Sequence, residues 1–258
     1  MRPLAAVVAL AVGVSAAGAA VQTRVVDYSQ GTTALEGFLA WDDAFQGPRP
    51  GVLVVHEWTG LGNYVKSRAE QLAALGYVAF CADIYGKGVR PSTPEAAGKT
   101  SAIYKNDRSL TRARVNAALA QLRANPLVDS RRIAAIGYCF GGMVALELAR
   151  SGADTAGVVV FHGDLSNPTP ADDANIKCRV LALQGGDDPF VTAKDVMAFE
   201  NGMRTAAVNW EVVQYGGAVH SYTNPDSGND KSKGVAYNAQ ADRRSWQAMK
   251  SFLAEIFG

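Results

Sequence analysis

Runs of apolar residues alternate with amphipathic segments from residue 22 to the C-terminus of this chain. Short runs rich in branched aliphatic residues, such as Val52–Val55 and Val158–Val160, are typical of strands buried on both faces. Segments with apolar residues three or four positions apart, such as Asn63–Leu75 and Ala241–Phe257, indicate helices with one buried face. This alternation predicts an α/β fold whose mostly parallel sheet is flanked by helices on both faces.

The pattern predicts eight strands and five helical segments. The strands are predicted at Thr23–Tyr28, Leu35–Trp41, Gly51–His56, Tyr77–Cys81, Arg132–Gly137, Gly157–Phe161, Arg179–Gln184 and Trp210–Tyr215. The helices are predicted at Asn63–Leu75, Pro94–Ala124 (one helix or two), Phe140–Arg150, Ala193–Thr205 and Ala241–Phe257. The first two strands are expected to form a hairpin. Two stretches, Gly86–Asp107 and Ser221–Asn238, are predicted to be long and irregular, either shaping specificity or serving as solvated connections.

The first twenty residues differ from the rest of the chain. A short basic start at Met1-Arg2 precedes an apolar stretch from Leu4 to Val14, and Ala17-Gly18-Ala19 fits a signal-peptidase site. The apolar stretch is shorter than the roughly 20 residues that span a bilayer. We therefore predict a secretory signal at residues 1–20 and one domain at 21–258, in a periplasmic or secreted protein without stable membrane association. An uncleaved membrane anchor is the alternative.

Charge and cysteine usage narrow the expected partners. The chain has 25 basic and 24 acidic side chains, so loss of Arg2 with the signal leaves the mature chain balanced. No basic cluster remains, which argues against nucleic acid. None of the three cysteines has the spacing of zinc ligands, so we predict no metal or cofactor and a small-molecule substrate. Cys81 and Cys178 are predicted to be core or strand-edge thiols, with a disulfide between them as the alternative.

A glycine-rich turn joins a predicted strand to a predicted helix at Gly137-Tyr138-Cys139-Phe140-Gly141-Gly142. Its spacing matches the nucleophile elbow G-x-S-x-G, whose small neighbours allow a strained turn that raises the central side chain above the sheet. Here Cys139 takes the place of serine. The positive end of the following helix favours its thiolate, and the Phe140 N–H can donate to an oxyanion. We predict Cys139 as the nucleophile, against the alternative of a buried cysteine in a Rossmann-like turn.

Each of the three histidines stands at or just beyond the end of a predicted strand. Nucleophile-elbow hydrolases have the order nucleophile, acid, histidine along the chain. His56 precedes Cys139, and His162 follows it with only Asp164 close behind, so both violate this order. We therefore predict His220, in the loop after the last strand, as the general base, against the alternative of a structural or interface role.

The acid is expected in a turn between the nucleophile and the base. Residues 185–191 form such a turn directly after a predicted strand, and they contain Asp187 and Asp188. We predict Asp188 as the acid that orients His220, while Asp187 shapes the turn by bonding its own backbone. A solvated turn without a catalytic role is the alternative.

With these motifs the chain resembles the dienelactone hydrolase family over roughly residues 35–257. The matching segments are His56-Glu57 with Gly60, Ala82-Asp83-Ile84-Tyr85-Gly86, Gly137–Gly142, Asp188-Pro189-Phe190-Val191 and His220-Ser221-Tyr222. The resemblance implies the α/β-hydrolase fold, with an eight-stranded sheet and no large cap domain. It also implies hydrolysis of lactones or carboxylic esters by a Cys–His–Asp triad.

The resemblance further assigns roles to Glu57 and Trp58. In the family, a glutamate after the third strand can take the cysteine proton when substrate arrives, and Glu57 matches it. A carboxylate beside a thiol otherwise disfavours the thiolate, so a gated nucleophile is expected. A salt bridge from Glu57 to a surface cation is the alternative. Trp58 is expected to supply the second oxyanion N–H, beside that of Phe140.

The family's two carboxylate-binding arginines are not matched in this chain. Gly86 and Asn224 stand at their positions, with Lys87 or Arg90 as substitutes for the first. Dienelactone is therefore not a required substrate, and a neutral or differently charged ester is an equal alternative. The predicted substrate-binding residues are Tyr85, Lys87 and Tyr222.

These observations predict hydrolysis through a covalent thioester. The base removes the thiol proton, the thiolate attacks a carbonyl, two backbone N–H groups hold the oxyanion, and activated water releases the acid. Two alternatives stand beside this prediction. One is a non-catalytic protein of the same fold that binds a ligand or responds to oxidation, and the other is an acyltransferase that uses an acceptor other than water.

Overall fold

A computed structural model describes residues 20–258, which contain one eight-stranded sheet and six α-helices. The strands are β1 Val21–Gln30, β2 Thr33–Asp42, β3 Arg49–Val55, β4 Val78–Ala82, β5 Val128–Tyr138, β6 Gly157–Phe161, β7 Arg179–Gly185 and β8 Trp210–Tyr215. The helices are α1 Asn63–Ala74, α2 Pro94–Asn106, α3 Arg108–Arg123, α4 Phe140–Arg150, α5 Ala193–Thr205 and α6 Ala239–Phe257. Short 3-10 helical turns cover Pro170–Asn175, Pro225–Ser227 and Lys231–Lys233. The predicted signal segment lies outside the described residues apart from residue 20.

The strand order in the sheet is β1-β2-β4-β3-β5-β6-β7-β8. The first two strands form the predicted antiparallel hairpin, and β2 pairs antiparallel with β4. All remaining pairs are parallel. The predicted mostly parallel sheet is therefore confirmed, and no element of residues 20–258 forms a large cap over it. No helix in this part of the chain has the length and apolar character needed to cross a membrane.

Apolar side chains pack on both faces of the sheet. In β3, Val52 and Val54 belong to the core that includes residues of α1 and α6, whereas Leu53 and Val55 belong to the core with α3 and α4. All four side chains are fully buried. Burying one such side chain stabilises the fold by about 1.5–3 kcal/mol, so a continuous apolar run is favoured only where both faces are covered.

One predicted segment is divided more sharply than its pattern indicates. Asp107 separates α2 from α3, because its N–H bonds the Ile103 carbonyl while its side chain accepts the Leu110 N–H. At the other end of α2, Thr93 caps the helix and Pro94 occupies its first turn. The prediction of an irregular stretch through Asp107 is therefore wrong for residues 94–106.

The parallel strands bring chemically active side chains to one edge of the sheet, which we call the carboxyl edge. Glu57 follows β3, Cys139 follows β5 directly, and His162 follows β6. Asp188 and His220 come after β7 and β8. Because neighbouring parallel strands end at the same edge, residues far apart in the chain meet there.

The start of α4 lies so close to β3 that it excludes a side chain at Gly141. A Cβ on Gly141 would lie 2.7 Å from the His56 carbonyl oxygen and closer still to that of Val55. Because both obstacles are backbone atoms, we expect Gly141→Ala to lower the free energy of unfolding by about 3 kcal/mol, at the upper end of overpacking costs. Urea denaturation followed by circular dichroism measures this change.

Gly98 provides the control for this substitution. A Cβ on Gly98, inside α2, would meet nothing within 4 Å. Gly98→Ala is therefore expected to raise the free energy of unfolding by roughly 0.5–1 kcal/mol through helix propensity. Equal stabilities of the two variants would contradict the close approach of α4 to β3.

Candidate active site

Cys139 occupies a strained turn between β5 and α4. Its backbone has φ 54° and ψ −115°, a combination that costs a non-glycine residue about 1–3 kcal/mol. The turn is held by hydrogen bonds from the Cys139 N–H to the Phe161 carbonyl (3.0 Å) and from the Gly142 N–H to the Cys139 carbonyl (3.0 Å). This geometry places the half-buried cysteine at the carboxyl edge, ahead of the N-terminus of α4.

The structure brings the three predicted side chains into contact. His220 Nε2 lies 3.0 Å from Cys139 Sγ, and His220 Nδ1 lies 2.8 Å from Asp188 Oδ2. The other carboxylate oxygen of Asp188 accepts the N–H groups of Phe190 (2.8 Å) and Val191 (3.2 Å). The buried Asp188 is thus fixed by its own turn, and its free oxygen points at the imidazole.

The charges around His220 determine its protonation. Burial alone lowers the pKa of His220, but the Cys139 sulfur and the hydrogen bond to Asp188 outweigh it and raise the pKa to about 10. At neutral pH the imidazole therefore carries a proton between two acceptors. A protonated imidazole beside the sulfur favours the thiolate, which is the nucleophilic form of cysteine.

This raised pKa predicts the alkaline limit of any activity at Cys139. His220 must hold a proton to pair with the thiolate and to protonate a leaving group, so kcat/KM is expected to fall as pH rises through about 10. By linkage, the contribution of His220 to stability is complete below its ordinary pKa of 6.5 and is lost as pH rises through about 10. A pH–rate profile from pH 6 to 11 on folded protein measures the limit. A descending limb near pH 7 would contradict it.

The two backbone N–H groups predicted to hold an oxyanion are those of Phe140, which follows Cys139 directly, and of Trp58, in the loop after β3. The Phe140 and Trp58 N–H groups make no hydrogen bond to another group of residues 20–258. The Tyr85 hydroxyl donates to the Trp58 carbonyl at 2.9 Å and so fixes that segment. Tyr85 is 5% exposed and packs against Phe140, so the structure places it behind the loop rather than at its surface. Tyr85 therefore contacts the Trp58 backbone, and its contact with substrate stays a prediction.

Glu57 lies in a buried polar cluster next to the turn that carries His220. Its Oε2 accepts Asn224 Nδ2 at 2.7 Å, and its Oε1 accepts the Ser221 hydroxyl at 3.3 Å. Burial raises the pKa of Glu57, partly offset by the Asn224 hydrogen bond and the His220 charge. Both partners are neutral side chains, so the alternative of a surface salt bridge is wrong. In this arrangement Glu57 bonds the turn after His220, not Cys139.

Lys87 and Arg90, the two cations considered for substrate binding, bond other groups of the protein. Lys87 Nζ lies 2.6 Å from Asp27 Oδ2 at the surface. Arg90 donates to the backbone carbonyls of Leu61 and Val89 at 2.9 Å each. Lys87 therefore forms a surface ion pair with the first strand, and its role in substrate binding stays a prediction.

Tyr222 also bonds another group of the protein. Its side chain is fully buried, and its hydroxyl donates to the Leu183 carbonyl at 3.0 Å. Tyr222 therefore packs in the core of this structure, and its contact with substrate stays a prediction. Cys81 and Cys178 are free buried thiols in the cores on opposite faces of the sheet, which rules out the alternative disulfide.

The structure adds residues to the site that the sequence analysis did not select. The Phe190 ring is 62% exposed and stands edge-to-face against His220, with centroids 5.4 Å apart. Its position beside Asp188 in the turn was the available signal. His162 and Thr223 form a hydrogen bond beneath His220, and no sequence pattern indicated that pairing. Among residues 20–258, no three His, Cys, Asp or Glu side chains are grouped to hold a metal ion.

A parallel-rich sheet with a strained cysteine elbow and a histidine–aspartate pair at its carboxyl edge defines the α/β-hydrolase class. A model of the dienelactone hydrolase family matches residues 35–257. The chain therefore belongs to the dienelactone hydrolase family and is a hydrolase.

Solved structures and curated relatives agree with this assignment. The dienelactone hydrolase-like promiscuous phosphotriesterase P91 from metagenomic libraries is 42% identical, with a TM-score of 0.89 over 93% of this chain and 100% of its own. A structure named m3DLH is 40% identical, with a TM-score of 0.89 over the same shares of 93% and 100%. A Synechocystis sp. protein named as a carboxymethylenebutenolidase is 25% identical over 90% of this chain and 96% of its own.

Proposed function

We propose that this protein hydrolyses carboxylic esters or lactones through a thioester on Cys139. The observation that carries the proposal is the continuous contact from Cys139 Sγ through His220 to Asp188, at 3.0 and 2.8 Å. The unpaired N–H groups of Phe140 and Trp58 supply donors for an oxyanion. Together these groups meet the needs of acyl transfer, which are a nucleophile, an oriented base and charge stabilisation.

In the acylation half, the Cys139 proton resides on His220 Nε2 from the start, and Asp188 stabilises this imidazolium. The thiolate attacks the carbonyl carbon, and the oxyanion is held by the N–H groups of Phe140 and Trp58. When the tetrahedral intermediate collapses, the C–O bond breaks and His220 returns its proton to the leaving alkoxide. From an ester an alcohol leaves, whereas from a lactone the new hydroxyl stays on the opened chain, and in both cases the acyl group remains on sulfur.

In the deacylation half, His220 takes a proton from a water molecule, whose oxygen attacks the thioester carbonyl. The C–S bond breaks, the acid leaves, and the proton returns to the Cys139–His220 pair. We assign the proton transfer to His220 directly, because both Glu57 oxygens are bonded to Ser221 and Asn224. Glu57 then acts by holding the turn that follows His220.

The surroundings of Cys139 favour neutral, apolar ester substrates. Phe190 is 62% exposed and lies against His220, and Trp58, in the loop after β3, is 38% exposed. Asn224, at the position where the family carries an arginine, is bonded to Glu57. A buried neutral amide gives a substrate carboxylate no counter-charge, so it does not improve the binding free energy of an anionic lactone.

A substrate panel with an acyl trap tests the proposal. Neutral 4-nitrophenyl butyrate and dihydrocoumarin are compared with mono-4-nitrophenyl succinate, whose acyl group carries a carboxylate. We expect higher kcat/KM for the neutral substrates and, after acid quench, a butyryl mass increase on the Cys139 peptide. Absence of turnover with every substrate, or an acyl group on another residue, would contradict the proposal.

Hydrolysis of neutral phosphotriesters is a second candidate activity. The supporting observation is the 42% identity to P91, which is described as a promiscuous phosphotriesterase and is matched over its whole length. The same thiolate would attack phosphorus and expel an aryl alkoxide, with the phosphoryl oxygen held by the two N–H groups. A diethyl 4-nitrophenyl phosphate arm of the same panel tests this activity, and a phosphoryl adduct on Cys139 is the expected intermediate.

We also propose that the enzyme works outside the cytoplasm. The basic start, apolar stretch and small residues of positions 1–20 support this proposal. Expression in a bacterial host, followed by periplasmic extraction and N-terminal sequencing, is expected to recover a chain that starts near Ala20. A full-length chain in the membrane fraction would instead indicate a retained anchor.

A further inference from the structure

His162 is a fully buried histidine beneath the active-site base, and the proposed reaction does not use it. Its ring stands edge-to-face against His220, with centroids 5.3 Å apart and planes at 69°. Its backbone has φ 40° and is held by a 2.8 Å hydrogen bond from its N–H to the Leu183 carbonyl. A buried polar ring on a strained backbone lowers the stability of the fold unless surrounding contacts hold it.

A chain of hydrogen bonds connects His162 to a buried arginine. His162 Nε2 lies 2.7 Å from the Thr223 hydroxyl, which lies 2.6 Å from the Tyr64 hydroxyl. Arg68 Nε donates to the same Tyr64 oxygen at 3.3 Å, and Arg68 Nη2 donates to the Thr223 carbonyl at 2.8 Å. Asp242, on α6, pairs with Arg68. We call Arg68, Tyr64, Thr223 and His162 the arginine relay.

The arginine fixes the Tyr64 oxygen as an acceptor, and we assign the other hydrogen bonds of the relay from that starting point. A guanidinium has only donors, so the Tyr64 oxygen accepts from Arg68 and its proton is free to point at Thr223. The Thr223 hydroxyl then accepts from Tyr64 and donates to His162 Nε2. This direction leaves Nε2 unprotonated and puts the single ring proton of His162 on Nδ1, which makes no hydrogen bond within residues 20–258.

The same direction keeps His162 uncharged. A second proton on Nε2 would face the donated Thr223 hydroxyl, donor against donor. Burial, reinforced by the charges of His220 and Arg68, lowers the pKa of His162 well below its ordinary value, which agrees with a neutral ring. The imidazolium of His220 therefore stands against an uncharged aromatic neighbour.

We propose that His162 is a positioning residue for His220, held as the neutral Nδ1–H tautomer by the arginine relay. It acts on His220 in two ways. Its ring packs against the imidazole, and its hydrogen bond to Thr223 holds the turn that begins at Ser221, whose own backbone has φ 56°. This inference rests on the proposed hydrolysis for its kinetic readout, whereas its tautomer and reactivity readouts do not.

The kinetic test compares replacements of His162 that separate ring from hydrogen bond. His162→Phe keeps a ring but offers no acceptor to Thr223, and we expect kcat for 4-nitrophenyl butyrate to fall about tenfold with KM within twofold, as misplacement of a catalytic group predicts. His162→Gln restores an acceptor near Nε2, and we expect it to recover kcat to within about threefold of wild type. Wild-type kcat in His162→Phe, or an equal loss in both variants, would overturn the proposal.

Variants at other residues of the arginine relay keep the test decisive if His162→Phe does not fold. Thr223→Val breaks the relay while Thr223→Ser keeps it, so only the first is expected to slow the reaction. Tyr64→Phe removes the donor to Thr223 and is expected to behave like Thr223→Val. Tyr237→Phe is the matched control. It removes a tyrosine hydroxyl that bonds Asp242 (3.2 Å), the partner of Arg68, but that hydroxyl lies outside the relay.

Two measurements read the relay without an ester substrate. Nitrogen-15 NMR of labelled histidine is expected to show His162 as the Nδ1–H tautomer in wild type, and a mixture in Tyr64→Phe. The alkylation rate of Cys139 by iodoacetamide is expected to fall in Thr223→Val and not in Thr223→Ser. An Nε2–H tautomer in wild type, or equal alkylation of the two Thr223 variants, would overturn the proposal even if no ester is cleaved.

Discussion

Cys139→Ala is expected to reduce kcat for 4-nitrophenyl butyrate by about 10⁴-fold or more, because the nucleophilic atom that contacts His220 Nε2 is Cys139 Sγ. The oxyanion donors and the apolar surface of Phe190 and Trp58 remain, so residual turnover and nearly unchanged KM are expected. Steady-state kinetics, with the acyl trap by mass spectrometry, measure both. The variant should also take up no acyl group, since the atom that carries it is gone.

Cys178→Ala is the matched control for this experiment. Cys178 is a buried free thiol in the apolar core rather than at the carboxyl edge. Its replacement is expected to leave kcat within twofold of wild type while lowering stability slightly, as loss of a small buried group does. If Cys139→Ala kept more than a tenth of wild-type kcat, the thioester would not lie on the reaction path.

Asp188→Asn is expected to lower kcat by roughly 10³–10⁴-fold with little change of fold, as loss of the orienting acid does in other triads. The asparagine carbonyl would keep the N–H groups of Phe190 and Val191, so its amide would face His220 Nδ1. A donor at that position makes Nδ1 an acceptor and leaves the ring proton on Nε2. The imidazole then cannot take the Cys139 proton.

Asp187→Asn separates this effect from a general effect on the turn. Asp187 is exposed, and its N–H bonds the Ala218 carbonyl, a contact that the substitution leaves intact. We expect kcat within twofold of wild type. We also expect the alkaline limb of the pH–rate profile to move to lower pH in Asp188→Asn alone, because Asp188 helps raise the pKa of His220. Loss of activity in Asp187→Asn with retention in Asp188→Asn would reverse the assignment.

Local pattern was sufficient for most of the fold. Gly157–Phe161 was predicted with its observed ends, and Asn63–Leu75 within one residue, because burial on one or both faces imposes a period that the sequence displays. Asp107 and Thr93 show where pattern alone was not enough. A cap acts through one side-chain hydrogen bond and changes the period of no apolar residue, so the break between α2 and α3 left only a weak signal.

In the candidate site, too, some features followed from the sequence and others did not. Cys139, Asp188 and His220 were selectable because chain order and strand ends constrain which residues can meet at the carboxyl edge. For Tyr85 and Tyr222 the motif gave the position in the chain but not the direction of the side chain. Both point inward and bond backbone carbonyls.

The sequence by itself determined the order of strands and helices, the glycine-lined elbow and the three side chains that meet there, since each follows from residue type and spacing along the chain. Only the tertiary structure decided that Glu57 bonds Asn224 and that Arg68 reaches His162 through Tyr64 and Thr223. Those pairings join residues up to 167 positions apart. Their existence depends on which way buried side chains turn once the sheet and helices have packed, and that is a property of the assembled core.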